Sequence, residues 1–402
     1  MRPAPLMLGG AILLCLGVTC QPLRAAKYDS GASDTEIKIG NTAPYSGAAS
    51  VYGQLGKASA AYFRKVNDEG GVNGRKIVFI SLDDGYSPPK TVEQTRRLVE
   101  EEAVLLDFNP VGTAPNSAIQ QYMNVKQVPQ LFVGSGATKW GDPQHYHWSM
   151  GWNPSYETEG KIYAHYILAH IPSPKIGILY QNDDYGKDYV AGMKKGLGDR
   201  TGLIVAEQSY EVTDPTVDSQ IVALRNSGAN VFFNVATPKF AAQAIKKIAE
   251  IGWKPVHFLN NVATTVGGVM QPAGFENSQG IISADYIKDA DDPEWASDPG
   301  MKDWHAWMAK YNPQGNLHDR YNVLGYTVSM LLVQVLKQCG DELTRENVMR
   351  QAANLHDIEL PLLLPGIKVN TSPTDYHPLE QEQMQRFEGK RWVRFGPVLS
   401  AE

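Results

Sequence analysis

The stretches IKIGNTAPYSGAASVYG (Ile37–Gly53) and DDGYSPPKTV (Asp83–Val92) decide the fold of this 402-residue chain. In the first, a short apolar strand pattern stops at a turn of Pro, Ser and Gly, and a helical pattern then covers Tyr52–Asn67. The second follows the apolar strand Lys76–Leu82 and begins a helix just past its Pro-Pro pair. Together they predict the first two βα units of a doubly wound domain, in which ligands bind beyond the carboxyl ends of the strands.

The composition is that of a globular protein large enough for two domains, with 43% hydrophobic and 20% charged residues. A net charge of −6 argues against a nucleic-acid-binding surface, which is normally basic and clustered. Beyond residue 30, no apolar stretch is long enough to predict a membrane span.

The N-terminus has the pattern of a secretory signal peptide over residues 1–26. The apolar run Leu6–Val18 precedes small residues, so we expect cleavage after Ala25 or Ala26 and a periplasmic location. A buried N-terminal helix, or a lipoprotein anchored at Cys20 in a poor lipobox, are the alternatives. Cleavage leaves Cys339, which cannot form an internal disulfide and is expected to be structural, since no base is recognisable near it.

Strand and helix patterns alternate through the whole chain, which predicts an α/β protein with parallel sheets covered on both faces. The alternation restarts near Gly151, so we predict two similar lobes rather than one large sheet. The tail, with Gln383–Glu388 and Arg391–Phe395 around a Glu-Gly-Lys turn, has a hairpin pattern.

Motifs of enzymatic chemistry are absent from the sequence: it has no G-x-S-x-G elbow, no phosphate-binding P-loop and no H-E-x-x-H helix. His145 and His147 could bind a metal but lack accompanying ligands, so a loop role is favoured. Asp183 and Asp184 precede a helix, where capping is the simpler interpretation. We therefore predict no enzyme, no metal and no cofactor.

Both quoted stretches resemble the periplasmic branched-chain amino-acid-binding proteins of ABC transporters, in which a strand leads into an S-G turn and an aromatic-Gly pair, and D-D-x-x-x-P follows the second strand. The resemblance covers Glu36 to Phe395. It implies a type I two-lobed fold, each lobe a doubly wound parallel sheet, with lobe 1 at 27–150 plus 286–364 and lobe 2 at 151–285 plus 365–402. It also implies three crossovers, near Trp148–Pro154, Ile281–Tyr286 and Pro365–Val369.

The resemblance further implies a ligand site between the lobes. Small hydroxyls and backbone N–H groups would hold a carboxylate, and we call these residues the cradle: Thr113, Ser135, Gly136, Ala137 and Thr138. Tyr52 and Tyr185 would form walls and Trp152 a cover. The alternative is that these residues only make turn bonds, cap helices or fill the core.

Two positions depart from the amino-acid binders. Thr237 stands where they typically carry an aromatic residue, and Asn260–Ala263, including Asn261, lacks the acid that pairs with the ligand ammonium. A buried ammonium without a counter-charge is costly, so we predict a carboxylate ligand without an α-amine, aromatic or otherwise apolar. Asp285, Asp319 or Glu157 could supply the missing acid from another segment.

The predicted function is that of a monomeric extracytoplasmic receptor that delivers this ligand to an ABC permease. The alternatives are branched-chain amino-acid binding, a ligand sensor for a signalling partner, and an α/β enzyme.

Overall fold

The structure, a computed structural model, describes residues 27–400 together with residues 1 and 4. Apart from residues 1 and 4, the signal peptide expected at residues 1–26, with Cys15 and Cys20, lies outside the described residues. Within residues 27–400, no helix combines the length and the apolar character that crossing a bilayer requires.

The first lobe begins as alternating strands and helices: β1 (Lys27–Tyr28), β2 (Glu36–Ala43), α1 (Gly53–Asp68), β3 (Lys76–Asp83), α2 (Pro88–Arg96), β4 (Leu106–Phe108), α3 (Thr113–Lys126), β5 (Gln130–Val133) and β6 (Ser149–Gly151). Five of these strands form a sheet in the order β3-β2-β4-β5-β6, and every pairing is parallel. The strand order reverses between β2 and β4, which makes their carboxyl ends a topological switch point.

The second lobe repeats this plan: α4 (Tyr156–His170), β7 (Ile176–Gln181), α5 (Asp184–Leu197), β8 (Ile204–Tyr210), α6 (Asp218–Asn226), β9 (Val231–Val235), α7 (Pro238–Glu250), β10 (Val256–Leu259), α8 (Gln271–Ala273) and β11 (Ile282–Asp285). The parallel order β8-β7-β9-β10-β11 places its switch point between β7 and β9. All five residues of β9 are buried, because apolar cores cover both faces of this sheet.

The chain then returns to the first lobe as α9 (Pro299–Tyr311), α10 (Arg320–Cys339), β12 (Glu342–Leu343) and α11 (Arg345–Ala352). Helix α10 packs so closely on α1 that a Cβ on Gly325 would lie 2.7 Å from the Cβ of Ala58. Finally, β13 (Gln381–Glu388) and β14 (Arg391–Ser400) add an antiparallel hairpin beside β11. The two-lobed α/β fold predicted from the sequence is thus confirmed.

The third crossover between the lobes lies further along the chain than the expected Pro365–Val369. Val369, Tyr376 and Leu379 are buried in the core of the first lobe. Val369 pairs with Ile358 in an isolated bridge, which holds this segment against the first lobe. The chain therefore enters the second lobe between Leu379 and the start of β13.

Candidate ligand-binding cleft

A cavity lies where the switch points of the two sheets face each other. The residues around it are Tyr52, Leu55, Tyr86, Asn109, Val111, Gly112, Gly134, Trp152, Asn153, Tyr156, Tyr185, Thr237, Val262, Arg320, Tyr321, Leu324 and Val328.

Six of the seventeen lining residues are aromatic. The Tyr52 ring meets that of Tyr321 edge to face, with centroids 5.1 Å apart, and lies 6.4 Å from that of Tyr86. In the second lobe, the rings of Tyr156 and Tyr185 meet edge to face at 5.3 Å. Such a wall suits a flat or apolar ligand, since aromatic side chains provide large contact areas with few rotatable bonds.

The position of Tyr86 depends on its backbone. Its φ of 61° lies in the left-handed region, where a bulky residue is uncommon. Its ring passes so close to Gly112 that a Cβ there would lie 2.3 Å from Cε2 of Tyr86. The DDGY turn and Gly112 together therefore bring this ring to the cavity.

Arg320, the first residue of α10, is the charged residue among those that line the cavity. Its Nη2 donates to Oδ1 of Asp285 at 2.7 Å, and the side chains of both residues are only 8% exposed. Oδ1 of Asp285 also accepts from the N–H groups of Tyr286, at 2.8 Å, and Ile287, at 3.3 Å. The carboxylate is thus fixed at the end of β11 and positions the guanidinium.

The carboxylates considered as replacements for the missing acid are all engaged elsewhere. Asp285 pairs with Arg320, as described. Asp319 caps α10 and accepts from the hydroxyl of Thr265 at 3.2 Å, and burial raises its pKa to about 6. Glu157 forms ion pairs with Lys195 and Lys161. None of the three belongs to the cavity lining.

The structure separates the sequence-predicted site residues into two groups. Tyr52, Trp152, Tyr185 and Thr237 line the cavity. The cradle residues Thr113, Ser135, Gly136, Ala137 and Thr138, and likewise Asn261, lie outside that lining.

Asn261 is turned into the second lobe, and its neighbour Val262 lines the cavity instead. Its amide Nδ2 donates to Oε1 of Glu382, and its backbone N–H donates to Oε1 of Glu159 at 2.8 Å. Burial raises the pKa of both glutamates. Neither glutamate lines the cavity, and Glu159 also accepts from the hydroxyls of Tyr163 and Tyr189.

Among the lining residues that the sequence reasoning missed are Tyr86, Tyr156, Arg320 and Tyr321. Tyr86 lies inside the quoted DDGYSPP stretch, so its aromatic character was a usable signal. Arg320 and Tyr321 begin the helix that returns to the first lobe, and nothing local in the sequence places them beside Tyr52.

The lobes touch across the cleft. The hydroxyl of Tyr321 donates to the carbonyl of Val262 at 2.6 Å. Nζ of Lys139 lies 3.0 Å from Oδ2 of Asp184, at the start of α5. This arrangement is closed, because groups of both lobes meet around the cavity.

Two buried donors of the cavity wall have no hydrogen-bond partner among the described residues: Nε1 of Trp152 and the hydroxyl of Tyr185. The two residues are 1% and 2% exposed, respectively. Buried polar groups are normally satisfied, so both donors indicate positions where a ligand acceptor would be stabilised.

Residues 27–400 contain no group of three or more His, Cys, Asp and Glu side chains placed to hold a metal ion. His145 and His147 lie at the surface beside Asp142 and Glu346. Asp183 accepts from the N–H of Gly186 at 3.3 Å, the capping role favoured by the sequence.

The model of a family described as "Periplasmic binding protein" matches residues 36–389. Leu/Ile/Val-binding protein homolog 1 of Brucella abortus is 24% identical over 326 residues, which cover 77% of this chain and 80% of that protein. A branched-chain amino-acid ABC transporter structure from Thermus thermophilus with bound valine superposes with a TM-score of 0.82 at 15% identity, covering 92% of this chain and 97% of that one. A fatty acid ABC transporter substrate-binding protein from Thermomonospora curvata gives 0.79 at 22% identity, covering 93% and 95%. The matched family model and the two facing switch points together show that this chain belongs to the periplasmic binding protein family.

Proposed function

We propose that this protein is an extracytoplasmic receptor for a small apolar or aromatic carboxylate without an α-amine, which it delivers to an ABC permease. The observation that carries the ligand class is the charge of the cavity wall. Arg320 is its one charged residue within the described part of the chain, and no carboxylate lines it.

An α-ammonium would lose its hydration in this cavity without meeting a counter-ion. That loss costs roughly several kcal/mol in real proteins, and each 1.4 kcal/mol corresponds to about a tenfold change in affinity. A carboxylate faces a different situation, because it can accept hydrogen bonds from the N–H groups of Arg320 that Asp285 does not engage.

The apolar part of the ligand would lie among the rings of Tyr52, Tyr86, Tyr185 and Tyr321. Thr237 leaves more space beside them than an aromatic residue would. Structures with this fold include proteins named for a fatty acid and for valine, so the scaffold accommodates carboxylates with and without an amine. The residues of this cavity favour the class without one.

The test uses ligand pairs that differ only in the α-ammonium: 3-phenylpropionate against phenylalanine, and 4-methylpentanoate against leucine. In calorimetric titrations, we expect the acid without the amine to bind at least tenfold more tightly in at least one pair. Tight leucine binding with no response to 4-methylpentanoate would overturn the proposal and favour a branched-chain amino-acid receptor.

The delivery function has its own measurement. Deleting the gene should abolish uptake of the labelled carboxylate by the native host, and re-expression should restore it. Normal uptake in the deletion strain, together with a lost transcriptional response to the ligand, would indicate a sensor instead.

A further inference from the structure

The cradle is occupied by the protein's own groups. Oγ of Ser135 accepts from Nε1 of Trp140 at 2.9 Å and from the N–H of Ala137 at 3.2 Å. Oγ of Ser135 also shares a hydrogen bond with Oγ1 of Thr113, 2.7 Å away. The N–H of Thr138 donates to Oδ2 of Asp188 at 2.7 Å. These groups already have partners without any ligand.

Tyr156 closes the cradle on the cavity side. Its ring lies so close to Gly136 that a Cβ there would be 2.7 Å from Cε1 of Tyr156. Burial raises the pKa of this phenol to about 12, and hydrogen bonds from the Gly136 N–H, Ser135 and Thr113 only partly offset that effect. The neutral phenol therefore faces the donors that a ligand carboxylate would use, and a ligand could reach them only by displacing this ring.

The end of the cavity where α10 begins offers unoccupied donors. A guanidinium has five N–H donors in a planar fork. Among the described residues, Asp285 is the group to which the guanidinium of Arg320 donates a hydrogen bond. Its central carbon lies 6.0 Å from the centroid of the Tyr286 ring.

Trp152 belongs to the same end. Its ring centroid lies 6.5 Å from that of Tyr286, the ring that Arg320 also faces. Its Nε1 is buried, lacks a partner within residues 27–400, and belongs to a residue that lines the cavity. One charged and one neutral donor thus flank Tyr286.

We infer that the ligand's carboxylate binds to Arg320 and to Nε1 of Trp152, at the α10 end of the cavity, rather than in the cradle. This inference rests on the proposed function and specifies the orientation of the ligand. One N–H group of the guanidinium donates to Asp285, and the remaining N–H groups donate to the ligand's carboxylate. The apolar body then extends past Tyr52 and Tyr321 towards Tyr185.

The test compares a carboxylate with its neutral isostere, 3-phenylpropionate with 3-phenylpropanamide, by calorimetry. The native protein should prefer the carboxylate by more than tenfold. R320K keeps a positive charge beside Asp285 but loses the planar set of guanidinium donors. It should lower the affinity for the carboxylate about tenfold and change the affinity for the amide little. W152F keeps the ring, removes the N–H donor and should reduce the preference severalfold.

Further variants separate the two ends of the cavity. R320M combined with D285N removes the buried ion pair as a unit and should abolish the preference. T113V should change the affinities for both probes by the same factor, so that the preference persists. Arg225 is exposed on α6, and R225M is the control for loss of an arginine elsewhere and should leave both affinities unchanged.

Melting curves show which variants fold. R320K and W152F change the native side chains least and should perturb folding least. A preference that survives in both, and is lost in T113V, would overturn the inference and place the carboxylate in the cradle, while the proposed ligand class would stand. A native protein that binds neither 3-phenylpropionate nor 4-methylpentanoate would overturn the proposed function itself.

Discussion

Replacing Tyr185 by Phe should separate ligand binding from folding. The hydroxyl of Tyr185 is buried without a partner among the described residues, and an unpaired buried polar group costs roughly 1–3 kcal/mol. Removing it should therefore leave the free energy of unfolding of the ligand-free protein unchanged or higher. For a ligand with an acceptor at its apolar end, near Tyr185, loss of the hydroxyl should cost about 1 kcal/mol of binding, which is roughly a fivefold weaker affinity.

Tyr189, one turn further along α5, is the matched control. Its hydroxyl donates to Oε2 of the buried Glu159, and it does not line the cavity. Tyr189→Phe leaves that carboxyl with one donor fewer, so it should lower the free energy of unfolding by roughly 1–3 kcal/mol. It should leave the affinity of the folded protein nearly unchanged.

Urea denaturation and calorimetric titration with 3-(4-hydroxyphenyl)propionate, whose phenol oxygen can accept from Tyr185, measure the two quantities for both variants. Tyr185→Ala, which also removes the ring from the wall, should cost about 2 kcal/mol or more of binding. Equal losses of stability in the two Phe variants, with unchanged affinity in Tyr185→Phe, would refute the reasoning and place Tyr185 outside the ligand site.

The remaining predictions concern closure, pH dependence and export. Small-angle scattering should show a smaller radius of gyration at saturating ligand, because the lobes close around the cavity by hinge motion; identical values with and without ligand would contradict this. Asp107 has both carboxylate oxygens buried without hydrogen-bond partners among the described residues, and burial, with a smaller effect from Asp84, raises its pKa to about 7. Because this folded-state pKa lies above the value of about 4 in the unfolded chain, the free energy of unfolding should fall as pH rises from about 4 to about 7 and then level off. Asp107→Asn should flatten this slope in urea titrations, and an unchanged slope would contradict the assignment. Mass spectrometry of protein from the native host should find a mature terminus after Ala25 or Ala26, whereas an intact Met1 would exclude cleavage.

The fold follows from local patterns that the sequence displays directly. Helix α5 begins at Asp184 because Asp183 caps it, the role favoured by the sequence, and an apolar stripe continues to Leu197. The short apolar strands predicted parallel sheets, because a strand that is buried on both faces has a continuous apolar sequence rather than alternating apolar and polar residues. These patterns extend over only a few residues, so they can be recognised in the sequence without the tertiary structure.

The third crossover shows the limit of such signals. Residues 365–380 contain no helix or strand. Their attachment to the first lobe depends on contacts of Val369, Tyr376 and Leu379 with a core built from distant parts of the chain. No periodicity in the segment itself reports those contacts.

The site divides in the same way. The family resemblance carried by the sequence implied that Tyr52, Tyr185 and Thr237, each in a loop after a strand, would face a cleft, and all three line the cavity. Only the tertiary structure decided that Tyr156 packs on Gly136 and that Arg320 enters the cavity beside Asp285. The physical reason is that these side chains come from a crossover and a returning helix, whose positions are fixed by packing between segments far apart in the chain rather than by local preference.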